Sequence, residues 1–240
     1  MKTLNRQDHS EHAYTLTHIR NFPPFARDAA GRSKGLAIEI LEAAFSSVKV
    51  KGIFIPEDLE RIQDLVRDGK AHGIAVFAIN PERMKIYDYS DPYIVTGAGL
   101  FVKRCAFPDF SLTAYNGKTV CTPLKGPLTE FIERSFPHVR LQTVNDYPAA
   151  LTTVLEDGAD AAALNIHVAA SLVDESFPNE FLVPDRPIFK NELAVAALKG
   201  ENSAMLKQVS RGLEIIKTEG VYKQIIKRWS HLDKVGLWDE

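Results

Sequence analysis

Arg83 is the side chain whose type and setting point most directly to chemistry. It closes Asn80-Pro81-Glu82-Arg83, and a short spacer separates it from Tyr89-Ser90-Asp91-Pro92-Tyr93. A planar guanidinium grips a carboxylate through two parallel hydrogen bonds, which suits arginine to binding small acids. Just upstream, Ile74-Ala75-Val76-Phe77-Ala78-Ile79 is too short for an ordinary helix and reads as a buried strand. The Asn-Pro turn then breaks the strand, and Pro81 opens a helical turn that carries Arg83. In open α/β sheets ligands collect beyond the carboxyl ends of the strands, so Arg83 falls in the expected crevice. The competing reading is a helix-surface ion pair with Glu82 or Asp88.

Other reactive groups are few. Gly126-Pro127-Leu128-Thr129 is a glycine loop running into a helix, which presents backbone N–H groups to an anion or carboxylate. It lacks the Gly-Lys-Ser/Thr ending of a P-loop. Cys105 and Cys121 have no metal spacing, so they form either one disulfide in an oxidising compartment or two unpaired thiols. No Ser-His-Asp, zinc or nucleotide motif is present, and no cofactor is expected.

The chain has 240 residues, 45% of them hydrophobic, enough for one large core or two smaller ones. A formal charge of -2 leaves no basic footprint for nucleic acid. No apolar run approaches the roughly 20 residues that cross a bilayer, and the polar start, Met1 to Asp8, lacks a secretory apolar segment.

The elements that position Arg83 follow from periodicity. Residues 1 to 12 read as a loose arm. Ala13 to Ile19 favours a strand, stopped by Asn21-Phe22-Pro23-Pro24-Phe25, where paired prolines fix an extended loop. Gly35 to Phe45 places Leu36, Ile40, Ala43 and Ala44 on one helical stripe, as for a helix covering a sheet. Lys49 to Pro56 is a second strand, and Asp58 to Gly69 a second helix that Gly69 caps. Strand alternating with helix implies a parallel sheet. Gly97 to Lys103 is extended and crosses into a second lobe, which opens with the strand Asn116 to Thr122. There Val139 to Val144 and Ala159 to Leu164 are strands, and Asp146 to Asp157 and Val168 to Asp174 helices. Glu180 to Val183 is a further strand, and Asn191 to Leu198 the return strand. Asn202 to Lys217 and Gly220 to Ser230 are closing amphipathic helices.

The pair Asn-Pro-Glu-Arg and Tyr-Ser-Asp-Pro-Tyr resembles the Thr-Pro-Glu-Arg and Phe-Ser-Asp-Pro-Tyr signature of family 3 solute-binding proteins, the periplasmic receptors of polar amino-acid ABC transporters. Further likenesses are the aromatic-Pro-Phe loop at Phe22, the Leu155 to Ala161 segment, and the ending Glu219-Gly220-Val221-Tyr222 with Trp229, so the resemblance spans Phe22 to Trp229. It implies two Rossmann-like α/β lobes joined by two crossing strands, the type 2 periplasmic-binding fold. Residues 1–102 and 193–240 would form one lobe and 103–192 the other. It implies a carboxylate-bearing ligand clamped by Arg83 in the cleft, with Phe22 packing over it or serving the core. It also implies a permease partner, a periplasmic location with a signal peptide removed, and no catalysis.

The remaining pocket positions implied by the resemblance depart from the family. Ala75, Val76 and Ala78 stand where hydroxyls and glycine are usual, and Gly126-Pro127-Leu128 replaces Gly-Thr-Thr, leaving Thr129 to restore a hydroxyl. Asn165 stands where an aspartate usually pairs with the ligand's ammonium, and asparagine cannot neutralise a cation; His167 is either a polar substitute or, as is commoner for a lone histidine beside a helix start, structural. A ligand without a free α-amino group and with an apolar body is therefore expected. Two other classes remain open on the same fold: a sensor module whose closure biases a signalling switch, and a dehydratase, which needs a carboxylic acid in the cleft that no position here supplies.

Overall fold

The computed structural model describes residues 13–105, 110–123, 126–233 and 235–238; the arm expected over residues 1 to 12 lies outside them. β1 (Ala13–Ile19) is flanked by two parallel strands, β5 (Lys51–Glu57) and β6 (Gly73–Ala78), with Leu16 opposite both Phe54 and Gly73. Between β1 and β5 lie a small antiparallel sheet, β2 (Asn21–Phe22), β3 (Ala26–Asp28) and β4 (Ser33–Lys34), and the helix α1 (Leu36–Ser47). α2 (Ile62–Arg67) joins β5 to β6. A 3₁₀ turn, Arg83–Lys85, and β7 (Tyr87–Tyr89) lead into β8 (Ile94–Lys103).

The second lobe repeats the alternation: β9 (Thr119–Pro123), α3 (Pro127–Ser135), β10 (Arg140–Val144), α4 (Tyr147–Leu155), β11 (Ala161–Asn165) and α5 (Ile166–Ser176). β12 (Phe181–Leu182) and β13 (Phe189–Leu198) follow, then α6 (Ser203–Thr218) and α7 (Val221–Trp229). The main strand order is β10-β9-β11-β8-β13-β6-β1-β5. β8 and β13 are the antiparallel pair at its centre, with Phe189 opposite Ala98 and Leu193 opposite Ile94. β8 reaches β11 on one side, and β13 reaches β6 on the other, so these two strands join the lobes.

Alternation explains why both faces of the sheet are covered. On β11, Ala162 and Leu164 belong to the main core with α4 and α5, whereas Ala161 and Ala163 pack on the opposite side with Val120 and Ile132. In the first lobe Ile74 and Phe77 of β6 cluster with Ile62 and Val66 of α2.

Several elements differ from the expected ones. α2 is six residues, beginning at Ile62 rather than Asp58, because residues 58–61 form a turn that places Leu59 and Glu60 at the cleft. Gly69 does adopt the left-handed conformation, φ 69°, while the N–H groups of Gly69 and Lys70 return to the Val66 and Leu65 carbonyls and end the helix. α5 starts two residues earlier than expected, capped by Asn165. Of the two open readings of the cysteines, the unpaired one is observed. Cys105 is exposed, while Cys121 is buried and donates to the Ala150 carbonyl at 3.3 Å.

Candidate functional site

A cavity of about 220 Å³ opens between the lobes. Its floor is made by β6, β8 and β13, and its far wall by β9, β11 and the first turns of α3 and α4. Most of the lining is apolar, as is usual for small-molecule sites.

Arg83 enters from the first lobe. The Asn80 side-chain oxygen accepts the Arg83 N–H at 2.6 Å, which tightens the turn after β6 and aims the side chain back over the strand. There the guanidinium stacks on the Phe77 ring, 3.8 Å from its centroid, and one N–H reaches the Ala78 carbonyl at 3.2 Å. Burial lowers its pKa from the ordinary arginine value, and the neighbouring Tyr89, Glu130, Tyr87 and Tyr147 oppose that shift. Both carboxylates of the competing surface reading are engaged elsewhere: Glu82 pairs with Lys85 at 2.6 Å, and Asp88 accepts the Gly200 N–H at 2.8 Å. Among the described residues no carboxylate forms an ion pair with Arg83. The result is a partly desolvated cation, held in place by an aromatic face and a carbonyl, at the edge of an apolar cavity.

Opposite it, Gly126 caps α3, whose first-turn N–H groups have no acceptor within the helix. Leu128 and Thr129 line the cavity beside Gly126; Pro127 occupies the first helical position, and its side chain lies outside the described residues. Phe22 also lines the cavity, only 8% exposed, and meets Tyr147 of α4 edge to face at 5.9 Å across the cleft. It thus belongs to both the core and the pocket wall. Val76 and Ala78 line the cavity, but Ala75 does not. Ala75 lies in the core instead, and its carbonyl accepts the Tyr93 hydroxyl at 2.8 Å.

Asn165 ends β11, caps α5 and lines the cavity. His167, offered as its substitute, is fully buried behind it and does not reach the cavity. Its ring lies between Thr96 Oγ1 (2.8 Å) and Asp233 Oδ1 (3.0 Å), stacked on Trp238 at 4.7 Å and met edge-on by Phe25 at 5.7 Å. Burial lowers the His167 pKa, with the Asp233 contact opposing it. Burial alone would raise Asp233; hydrogen bonds from His167 and from the Trp238 and Leu237 backbone outweigh that and hold it below the usual carboxylate range.

The sequence reading missed Tyr147, Thr122, Asn191, Glu60 and Gln63, all of which line the cavity. Tyr147 and Thr122 were within reach of it, since Thr122 sits near the carboxyl end of β9 and Tyr147 opens the helix after β10. Burial raises the Tyr147 pKa far above its ordinary value, against a hydrogen bond from the Asn165 backbone and the charge of Arg83. Among the described residues there is no cluster of three metal-ligating side chains, and no helix is long and apolar enough to cross a membrane.

Two α/β lobes on a pair of crossing strands, closing on an interlobe cavity, define the fold as that of the type 2 periplasmic-binding proteins. A sequence profile described as "Bacterial extracellular solute-binding proteins, family 3" matches residues 15–232, and the chain belongs to that family. The ABC transporter glutamine-binding protein GlnH of Bacillus subtilis is 24% identical over 156 residues, covering 65% of this chain and 56% of that protein. Among solved structures, a histidine kinase sensor domain with similarity to periplasmic binding proteins superposes with a TM-score of 0.84 at 19% identity, covering 91% of this chain and 96% of that one. An ancestral arginine-binding protein bound to glutamine gives 0.81 at 25% identity, covering 92% and 99%.

Proposed function

We propose that the protein is an extracytoplasmic receptor of an ABC importer, which captures a small carboxylate-bearing solute, an amino acid or related organic acid, and closes over it. In this reading residues 1–102 and 193–240 form the first lobe and 103–192 the second. The carboxylate lies between Arg83 and the N-terminal turn of α3, with Gly126, Leu128 and Thr129 on one side and Phe22, Val76 and Ala78 around the ligand body. The single observation that carries it is Arg83: a partly desolvated cation, without a carboxylate partner among the described residues, at the edge of the cavity between the lobes. Lobe closure strengthens that pairing by lowering the local dielectric.

The named relative is an ABC transporter's glutamine-binding protein, which supports a transporter permease as the partner. A second reading, a ligand-sensing domain of a signalling receptor, is favoured by the sensor-domain likeness; it uses the same pocket and differs only in the partner. Catalysis is disfavoured because the one carboxylate among the described lining residues, Glu60, is exposed at the rim. The test is a thermal-shift panel of carboxylic acids and amino acids on the wild type and on Arg83→Met. Stabilisation by carboxylates that disappears in the variant supports the reading, and carboxylate stabilisation that survives the substitution, or none at all, refutes it.

A further inference from the structure

The orientation of the Asn165 amide is fixed, and with it the kind of group that Asn165 offers to the cavity. Its Oδ1 lies 3.2 Å from both the His167 and the Val168 backbone N–H groups. Only an oxygen accepts there, so the carbonyl end of the amide is committed to capping α5.

The other end is set by a chain of hydrogen bonds running away from the cavity. Asp233 receives the backbone N–H groups of Val235, Leu237 and Trp238, and is an acceptor only. His167 therefore carries its proton on Nε2, toward Asp233 Oδ1. That leaves Nδ1 as an acceptor, and the nearest donor is the Thr96 hydroxyl at 2.8 Å. Thr96 has one proton, and the 2.8 Å contact to His167 Nδ1 claims it over the longer 3.3 Å contact to Asn165 Oδ1, so the Thr96 oxygen accepts from Asn165 Nδ2 at 3.0 Å. Asn165 then has one group left, the second N–H of the amide. Asp233, His167 and Thr96 are positioning residues in this account; none of them lines the cavity.

Tyr147 adds to the effect. Its phenol lines the cavity and burial keeps it protonated, so its O–H can donate. Both groups lie in the same wall of the cavity.

We propose that Asn165 and Tyr147 make this wall a pair of hydrogen-bond donors, so that the ligand presents an oxygen acceptor there and no ammonium group. With Arg83 taking the carboxylate, the ligand class is a 2-oxo or 2-hydroxy carboxylic acid with an apolar body, in place of an α-amino acid. An ammonium needs a counter-charge as well as acceptors; Gln63, Thr122 and Asn191 supply neutral oxygens only, and the only carboxylate among the described lining residues is Glu60 at the rim. This inference rests on the carboxylate reading of Arg83.

The test is isothermal titration calorimetry with matched pairs: phenylpyruvate against phenylalanine, and 4-methyl-2-oxopentanoate against leucine. The wild type binds the oxo acid of each pair more tightly by about 10- to 100-fold, the scale of a hydrogen bond to a charged group gained or left unmade. Asn165→Asp keeps an oxygen for the α5 cap, replaces the amide donor by a carboxylate oxygen, and shifts the preference toward the amino acid by a similar factor. A wild type that prefers the amino acid, with binding lost in Arg83→Met, overturns this inference and leaves the carboxylate reading standing. An unchanged preference in Asn165→Asp also overturns it. If neither member of any pair binds, the carboxylate reading fails and this inference fails with it. The wild-type comparison decides the matter even if the variant does not fold.

Discussion

Replacing Arg83 by methionine separates a ligand clamp from a structural ion pair, because the two predict opposite patterns of stability. In the free protein the guanidinium makes one hydrogen bond to the Ala78 carbonyl and one stack on Phe77, and has no ion pair among the described residues. Losing a stack and a bond of that kind costs about 1–3 kcal/mol. Removing a charge that is partly desolvated and has no carboxylate partner regains a comparable amount. The free variant should therefore melt within about 4 °C of the wild type, given roughly 2–4 °C per kcal/mol for a chain of this size. Binding behaves differently. Two charge-assisted hydrogen bonds are worth about 3–5 kcal/mol together, or roughly 10² to 10⁴ in Kd. A carboxylate present at 100 times the wild-type Kd stabilises the wild type by about 2.7 kcal/mol and raises Tm by roughly 5–10 °C. At the same concentration a variant weakened a thousandfold is about one-tenth saturated and shows no measurable shift. Differential scanning fluorimetry reads both numbers from one plate. A free variant destabilised by more than about 10 °C, with the ligand-induced shift intact, would mean that Arg83 holds the fold together and leaves the acid to other groups.

Three further outcomes follow from the packing. His18 and His167 are both held below the ordinary histidine pKa by burial. As pH falls through about 6.5 the unfolded chain takes up protons that the folded one refuses, so Tm drops between pH 7.5 and 5; depressed Asp233 adds a second fall below about pH 4. His167→Gln should remove part of the first drop, and a flat profile in the wild type refutes the sign. Ellman's reagent should titrate one thiol in the native protein and two after denaturation, since Cys105 is exposed while burial raises the Cys121 thiol to about 11; an oxidised pair would titrate as none in either state. Gly212→Ala drives a methyl group into the Ala44 backbone carbonyl, where α6 crosses α1, and should cost about 1–3 kcal/mol in urea melts. An unchanged midpoint there would show that the two helices separate easily.

How much of this was legible beforehand depends on whether the cause was local. β1, α1 and β6 were readable to within two residues because their apolar spacing and their breakers, the paired prolines and Asn80-Pro81, lie in the same short windows. Arg83 was readable because a strand, a turn and a charged fork come in immediate succession. α2 was overestimated because Asp58, Leu59 and Glu60 fit a helical pattern, yet the cleft claims Leu59 and Glu60 for its wall. A structural His167 was the commoner expectation for a lone histidine beside a helix start, but its partners were not legible. Its three determining contacts come from Thr96, 71 positions upstream, from Asp233, 66 positions downstream, and from the indole of Trp238. No window of sequence contains that set, and a lone histidine at a helix start carries no periodic signal. The direction of the Asn165 amide depends on the same distant contacts, so it too lies beyond any single window of sequence.

That buried set also bears on how the two lobes communicate. Residues 233–238 follow α7 of the first lobe, yet Asp233 and Trp238 are fastened to His167 on α5 of the second, while Phe25 of the first lobe packs against both rings. Thr96, which completes the chain, sits on a crossing strand, and Asn165 at its far end lines the cavity. On the exposed side Arg27 and Glu175 pair across the same gap at 2.7 Å. Rotation of one lobe against the other must either carry the C-terminal segment along or break its contacts with α5. A ligand that draws on Asn165 therefore acts on a segment more than one element away, by as much as its affinity differs between the two arrangements. In either reading the contacts of Asp233 and Trp238 with α5 are ones that a rotation of the lobes has to accommodate. The importer and sensor readings thus share one mechanical element, and they diverge only in what receives the motion.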